Sequence, residues 1–225
     1  PYTTLFRSLT KTIFAPAIPS GKKIVHATVD PRDLNKDIPA DVSILGDARL
    51  VLSQFIEELK SQGGSPEPAK REAVEKQLES KRAAWLERWI PKLNSSEVPL
   101  NPHRVIGDFL KTIDPATSIV THDSGSPRDH LVPLYEATTP QGYIGWGHST
   151  QLGFSLGAAM GAKLAMPDKL VVNFMGDAAF GMVGMDVETA VREQIPILTI
   201  LLNNSAMGNY DKFIPKASAR YGTRF

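Results

Sequence analysis

The chain has 225 residues, enough for one large domain or two small ones, and 25 basic against 24 acidic side chains give a formal net charge of +1, so its electrostatics propose neither nucleic acid nor a membrane surface as partner. It contains no cysteine, which excludes disulfide scaffolds and thiolate metal centres and suits the expectation of a cytoplasmic enzyme. No apolar run approaches the roughly 18 residues of a membrane span, and the first residues do not read as a signal peptide.

Residues 1–8, PYTTLFRS, are similar to the translation of a sequencing-adapter primer and are set aside from fold reasoning, with the expectation that the chain is an internal piece of a longer reading frame. From Lys22 to Val29, KKIVHATV alternates as a strand does, and Asp41 to Leu45 offers a second strand. Gly46–Asp47 then turns into a helix with Asp47 as N-cap and Leu50, Val51, Phe55, Ile56 and Leu59 as its apolar face. Residues 9–60 therefore read as the end of an α/β domain. Residues 61–99 read as a linker, with Gly63, Gly64 and Pro66, followed by a charged helical stretch whose Leu78, Ala84, Trp85, Leu86 and Trp89 are expected to pack rather than to recruit a partner.

A second domain is expected over 100–225. Asn101–Pro102 opens a helix through Lys111, and Ser118–Thr121 forms a strand that ends in His122–Asp123–Ser124–Gly125–Ser126. The cluster His122, Asp123, Asp129 and His130 invites a zinc reading, but its spacing matches no familiar ligand pattern and a loop after a parallel strand is naturally polar. Gly153, Gly157, Ala158, Ala159, Gly161 and Ala162 keep one helix slim for close packing on a sheet or a partner subunit. Gly145 and Gly147 lack both the third glycine and the leading strand of a dinucleotide fingerprint.

The most informative stretch runs from Leu170 to Asn204. LVVNF and ILTILL are short β-branched runs joined by Gly176–Asp177 and a helix of about ten residues ending near Gln194, a βαβ unit with parallel strands. Ligands of such sheets lie beyond the carboxyl ends of the strands, and these ends carry Asp177 and Asn203–Asn204. A carboxylate and an amide oxygen on neighbouring strand ends suit a hard cation, and the small Gly176, Ala178 and Ala179 leave room for a phosphate at the turn.

Gly176–Asp177–Ala178 followed, after the right gap, by Asn203–Asn204 resembles the GDG-to-NN signature of thiamine diphosphate enzymes. The resemblance implies a doubly wound parallel α/β sheet, with the tail end of the family's central domain before it. It implies magnesium held on the cofactor diphosphate by Asp177, Asn204 and the Ala206 carbonyl. Gly125 and Ser126 would reach the diphosphate, the Thr150 carbonyl would accept from the aminopyrimidine, and Leu152 would wedge beneath the thiazolium. Gln151, Gly176, Ala178, Ala179, Met207 and Gly208 complete the implied cofactor contacts. Ala178 and Thr150 stand where the family often has glycine, and the residues after Asn204 depart from the usual NNxxxGMV continuation, which leaves acceptor specificity open.

Within the family the chain looks nearest to the acetolactate-synthase-like group, which implies carboligation or decarboxylation of small 2-keto acids. Another 2-keto-acid decarboxylase, a carbon–carbon lyase and a non-catalytic cofactor-binding homologue are the alternatives. Some members bind FAD in the central domain, and no residue here decides that. The family's catalytic glutamate, contributed by a partner chain, matches no residue of this sequence, and Glu188 is read as structural. The chain alone is accordingly expected to be inactive, and the enzyme to be a homodimer or homotetramer with its site between subunits.

Overall fold

The computed structural model describes residues 21–36, 38–64, 67–145, 151–207 and 215–221. They fall into two compact units, Pro1–Leu86 and Glu87–Phe225.

In the first unit, β1 (Val25–Thr28) pairs in parallel with β2 (Val42–Leu45), Val25 opposite Val42 and Thr28 opposite Leu45. α1 (Ala48–Ser61) starts where expected: Asp47 Oδ1 accepts from Arg49 N–H at 3.0 Å and Leu50 N–H at 3.2 Å, satisfying donors that the first turn leaves without partners. Of the expected apolar face only Val51 is buried within the unit, because two short strands cover little of a helix; Leu50, Phe55, Ile56 and Leu59 are exposed there. α2 (Pro68–Glu87) has no buried residue, and its Leu78 is exposed.

The second unit is built on one parallel sheet: β3 (Ser118–His122), β4 (Tyr143–Ile144), β5 (Leu170–Gly176) and β6 (Leu198–Leu202), in the spatial order β4-β3-β5-β6. The expected strands are present, and β5 is buried from Val171 to Met175, as a near-continuous apolar run requires when both faces are covered. β4 was not anticipated from sequence; a two-residue edge strand carries too little periodicity to be read.

Alternation along the strands sends side chains to two helical layers. Ile119 and Val171 pack on Ala159 and Ala162 of α6 (Phe154–Ala165), and Met175 packs on Leu156 of α6 and on Ala179 of α7 (Asp177–Val183). On the opposite face Phe174 meets Phe109 of α4 (Pro102–Thr112) edge to face, ring centroids 4.8 Å apart. α3 (Ile90–Leu93) precedes α4, and α5 (Ser126–Leu131) follows β3. The fold is thus a doubly wound α/β sheet. Because β4 lies outside β3 while β5 lies inside it, the strand order reverses between β3 and β5, and a crevice forms beyond the carboxyl ends of those two strands.

One sequence reading needs correction and a second is met in part. The single helix expected before Gln194 is two short ones, α7 and α8 (Asp186–Arg192), broken at Gly184–Met185, where a side chain on Gly184 would lie 2.8 Å from the Phe180 carbonyl oxygen. The slim helix does pack on the sheet as expected, through its small Ala159 and Ala162, but Gly157 and Gly161 take no part in that contact. A Cβ on Gly157 or Gly161 would meet nothing within 4 Å, and the contact face is made by Leu156, Ala159 and Ala162. α9 (Pro215–Tyr221) is the last described element, and no helix among the described residues is long and apolar enough to cross a membrane.

Candidate cofactor site at the sheet switch point

The register of β5 and β6 brings the signature residues together. Gly176 pairs with Leu202, so Asp177 and Asn203–Asn204 are the first residues past the paired edge of adjacent strands. Asp177 opens α7, is half-buried, and engages no hydrogen-bond or ion-pair partner among the described residues. Asn203 Oδ1 accepts from Ser205 N–H at 2.9 Å and Asn204 Oδ1 from Ala206 N–H at 3.1 Å, two consecutive Asx turns with Ser205 left-handed at φ 54. The second turn orients the Asn204 oxygen and leaves it one lone pair, since an amide oxygen has two. A free carboxylate, an oriented amide oxygen and main-chain carbonyls are the donor types of a hard divalent cation.

The β3 side forms the other wall. Gly125 has φ 80, stands at the N-cap of α5 and is exposed; Ser126 begins that helix. A Cβ on Gly176 would touch only the Pro127 ring, at 3.8 Å, so the Gly125–Pro127 loop lies against the Gly176 turn with small residues between. Ala178 is half-buried beside Asp177, whereas the Ala179 side chain belongs to the core with Leu156 and Met175, leaving it only its main chain to offer a ligand. Leu152 is half-buried against the same core cluster, Gln151 is exposed, and Met207 is half-buried; Thr150 and Gly208 lie outside the described residues.

The four residues of the zinc reading take separate roles. His122 is buried and its ring lies tilted against Tyr143, centroids 5.4 Å apart; a carbonyl can only accept, so the 3.0 Å contact to the Asp123 main-chain oxygen puts the proton on Nδ1. Burial holds its pKa below the usual 6.5. His130 packs edge-on against His103 at 4.5 Å, and Asp129 pairs with Arg128. Among the described residues no group of three or more His, Cys, Asp or Glu side chains is placed to hold a metal. Glu188 is exposed and pairs with Arg192 at 3.1 Å, one turn along α8.

Asp123 is the residue whose part sequence reasoning missed. Fully buried, its carboxylate accepts from the Gly153 and Ser155 N–H groups and from the Ser155 hydroxyl, at 2.7 to 3.2 Å, and so closes the start of α6 from the end of β3. One signal was available: Gly153, at the N-cap of α6, has no side chain to cap with, so the orphan N–H groups needed an acceptor from elsewhere in the fold. Gly153 itself is required by its surroundings, with φ 88 and space for a Cβ blocked by Val183 Cγ1 at 2.5 Å.

Comparison with known proteins meets this geometry. Residues 123–224 match the model of the thiamine pyrophosphate enzyme C-terminal TPP binding domain. The chain is 31% identical over 191 residues to the acetolactate synthase isozyme 3 large subunit of Escherichia coli, covering 82% of this chain and 31% of the relative. It is 27% identical over 192 residues to a probable acetolactate synthase large subunit of Methanococcus aeolicus, covering 83% of this chain and 32% of the relative. It is 29% identical over 182 residues to the 2-hydroxyacyl-CoA lyase of Saccharomyces cerevisiae, covering 81% and 32% respectively. The chain thus spans about a third of the length of these relatives. With a switch-point crevice walled by the Gly125 loop and the Gly176–Asp177 turn, residues 123–224 match the thiamine pyrophosphate-binding domain of that enzyme family, and the chain is similar across most of its length to acetolactate synthase large subunits.

Proposed function

We propose that this chain binds thiamine diphosphate through magnesium, with Asp177, Asn204 and the Ala206 carbonyl on the ion, and that the complete protein joins or cleaves carbon–carbon bonds of 2-keto acids. The observation that supports the reading is the β5–β6 register, which makes the strand ends that carry Asp177 and Asn204 neighbours, with no partner for the Asp177 carboxylate among the described residues and the Asn204 oxygen oriented by its own turn. When bound, thiamine diphosphate supplies an electron sink for bonds broken or made beside a carbonyl. The protein's part is placement. The Gly125–Ser126 loop and the main-chain N–H groups of the Gly176–Ala179 turn hold the diphosphate, and Leu152 supports the thiazolium from the side of the core cluster it packs on. Turnover further requires the ring-protonating glutamate of this family, for which no residue here is a candidate, so a site shared between subunits of a homo-oligomer is part of the proposal.

Asp177→Ala in the complete polypeptide is expected to abolish magnesium-dependent cofactor binding in calorimetry; unchanged affinity in excess magnesium overturns the assignment. The yeast relative's printed name supports a second reading, carbon–carbon lyase activity on 2-hydroxyacyl thioesters. Feeding pyruvate and a 2-hydroxyacyl thioester in separate reactions distinguishes the two, because carboligation releases one carbon dioxide for each acetolactate formed, while the lyase reading predicts no acetolactate from pyruvate and carbon–carbon cleavage of the 2-hydroxyacyl thioester into an aldehyde and a formyl thioester.

A further inference from the structure

We propose that Asp123 is a positioning residue for the cofactor, acting through the segment that carries Leu152; the inference rests on the cofactor reading above. Its N–H donates to the Phe174 carbonyl at 2.7 Å, which ties it to β5 two residues before Gly176. Its carboxylate, 0% exposed, accepts from Gly153 N–H at 3.0 and 3.1 Å, Ser155 N–H at 3.2 Å, the Ser155 hydroxyl at 2.7 Å and Ser124 N–H at 2.9 Å. A buried charge is tolerable only with such a set of donors, and the same donors make this joint stiff. One residue therefore binds together the end of β3, the end of β5 and the entry to α6.

Gly153 is gripped from two sides. Asp123 holds its N–H, and Val183 of α7 closes the space where a Cβ would stand. α7 is the helix that Asp177 opens, so Leu152, the residue immediately before Gly153, is held in a set position relative to the proposed metal turn. A neutral asparagine cannot replace this function. Its amide group would present N–H donors where main-chain N–H donors already converge, and the Gly153–Ser155 turn would shift.

The test uses the complete polypeptide with magnesium and thiamine diphosphate, comparing the parent with Asp123→Asn and Ser155→Ala. Cofactor affinity is read by calorimetry, hydrogen–deuterium exchange at the thiazolium carbon by NMR after acid quench at equal occupancy, and amide exchange over residues 151–156 by mass spectrometry. The expected result is affinity within about threefold of the parent, thiazolium exchange slowed about ten- to hundredfold in Asp123→Asn, a smaller slowing in Ser155→Ala, and faster amide exchange in both. Thiazolium exchange at the parent rate in folded Asp123→Asn, whatever its melting temperature, reduces Asp123 to a stabilising cap and overturns the inference. Lost affinity with unchanged exchange at saturating cofactor overturns it in favour of a direct diphosphate contact. If Asp123→Asn does not fold, Ser155→Ala decides alone, and a parent rate there overturns the inference. A parent protein that neither binds the cofactor nor exchanges overturns the cofactor reading itself, and this inference with it.

Discussion

Gly153→Ala isolates the joint between α6 and α7. Gly153 has φ 88 and ψ −11, a left-handed conformation that costs an L-residue about 1–2 kcal/mol. The new methyl would stand 2.5 Å from Val183 Cγ1 and 3.2 Å from Cγ2, and Gly153 cannot back away without lengthening its hydrogen bonds to Asp123. Overpacking of this kind costs about 1–3 kcal/mol, so the loss expected is about 2–5 kcal/mol together. The assay is urea unfolding with the slope held constant between variants. In a Val183→Ala background the close atoms are gone, and the same substitution should cost only the conformational part, about 1–2 kcal/mol. A loss under about 0.5 kcal/mol, or the same loss in both backgrounds, would refute the argument that Val183 shapes this turn.

Leu152→Ala should destabilise by about 2 kcal/mol, since the side chain is half-buried on the Leu156, Met175 and Ala179 cluster; slowed thiazolium exchange at equal cofactor occupancy supports its role beneath the ring, while exchange at the parent rate assigns it to the core alone. Burial first of all holds His103, His122 and His130 below their ordinary 6.5, with Lys92 lowering His103 and His130 further and Asp129 raising His130. A depressed histidine pKa means that the unfolded chain takes up protons first, so the stability these rings contribute is present above about 6.5 and is lost as the pH falls below it. The urea midpoint should therefore drop between about pH 7 and 5, and less steeply in His130→Gln; equal slopes in the two proteins would remove His130 from the account.

The parts of this protein that were legible before the fold was known are those with local causes. Asp47 and Asn101 each cap the helix that follows within three residues, β5 and β6 are runs of residues that suit a doubly buried strand, and Gly176–Asp177 with Asn203–Asn204 announce themselves by spacing. The turn at Gly176 needs only small residues and the strand ends need only polarity, so composition along the chain is enough to find them. The exposed glycines of α6 show the limit of the same approach: a slim face can be read from sequence, but which neighbour it meets cannot.

What depended on tertiary structure are the relations between segments distant along the chain. The order β4-β3-β5-β6 decides that the loops after β3 and β5 share one crevice, and no periodicity in any single strand encodes that order. Asp123 looks from its neighbours like one more polar loop residue; only the approach of Gly153 and Ser155, some thirty positions on, makes it the buried acceptor for α6. Likewise the glycine at 153 is demanded by Val183, thirty positions further. By itself the sequence determined the strands other than β4, the caps at Asp47 and Asn101 and the small, polar residues of the Gly176–Asp177 turn, because each is signalled by its own short run of residues. The joint that holds Leu152 against that turn exists only once the sheet has closed, because a buried charge and a left-handed glycine are tolerated where packing and hydrogen bonds converge on them from separate elements.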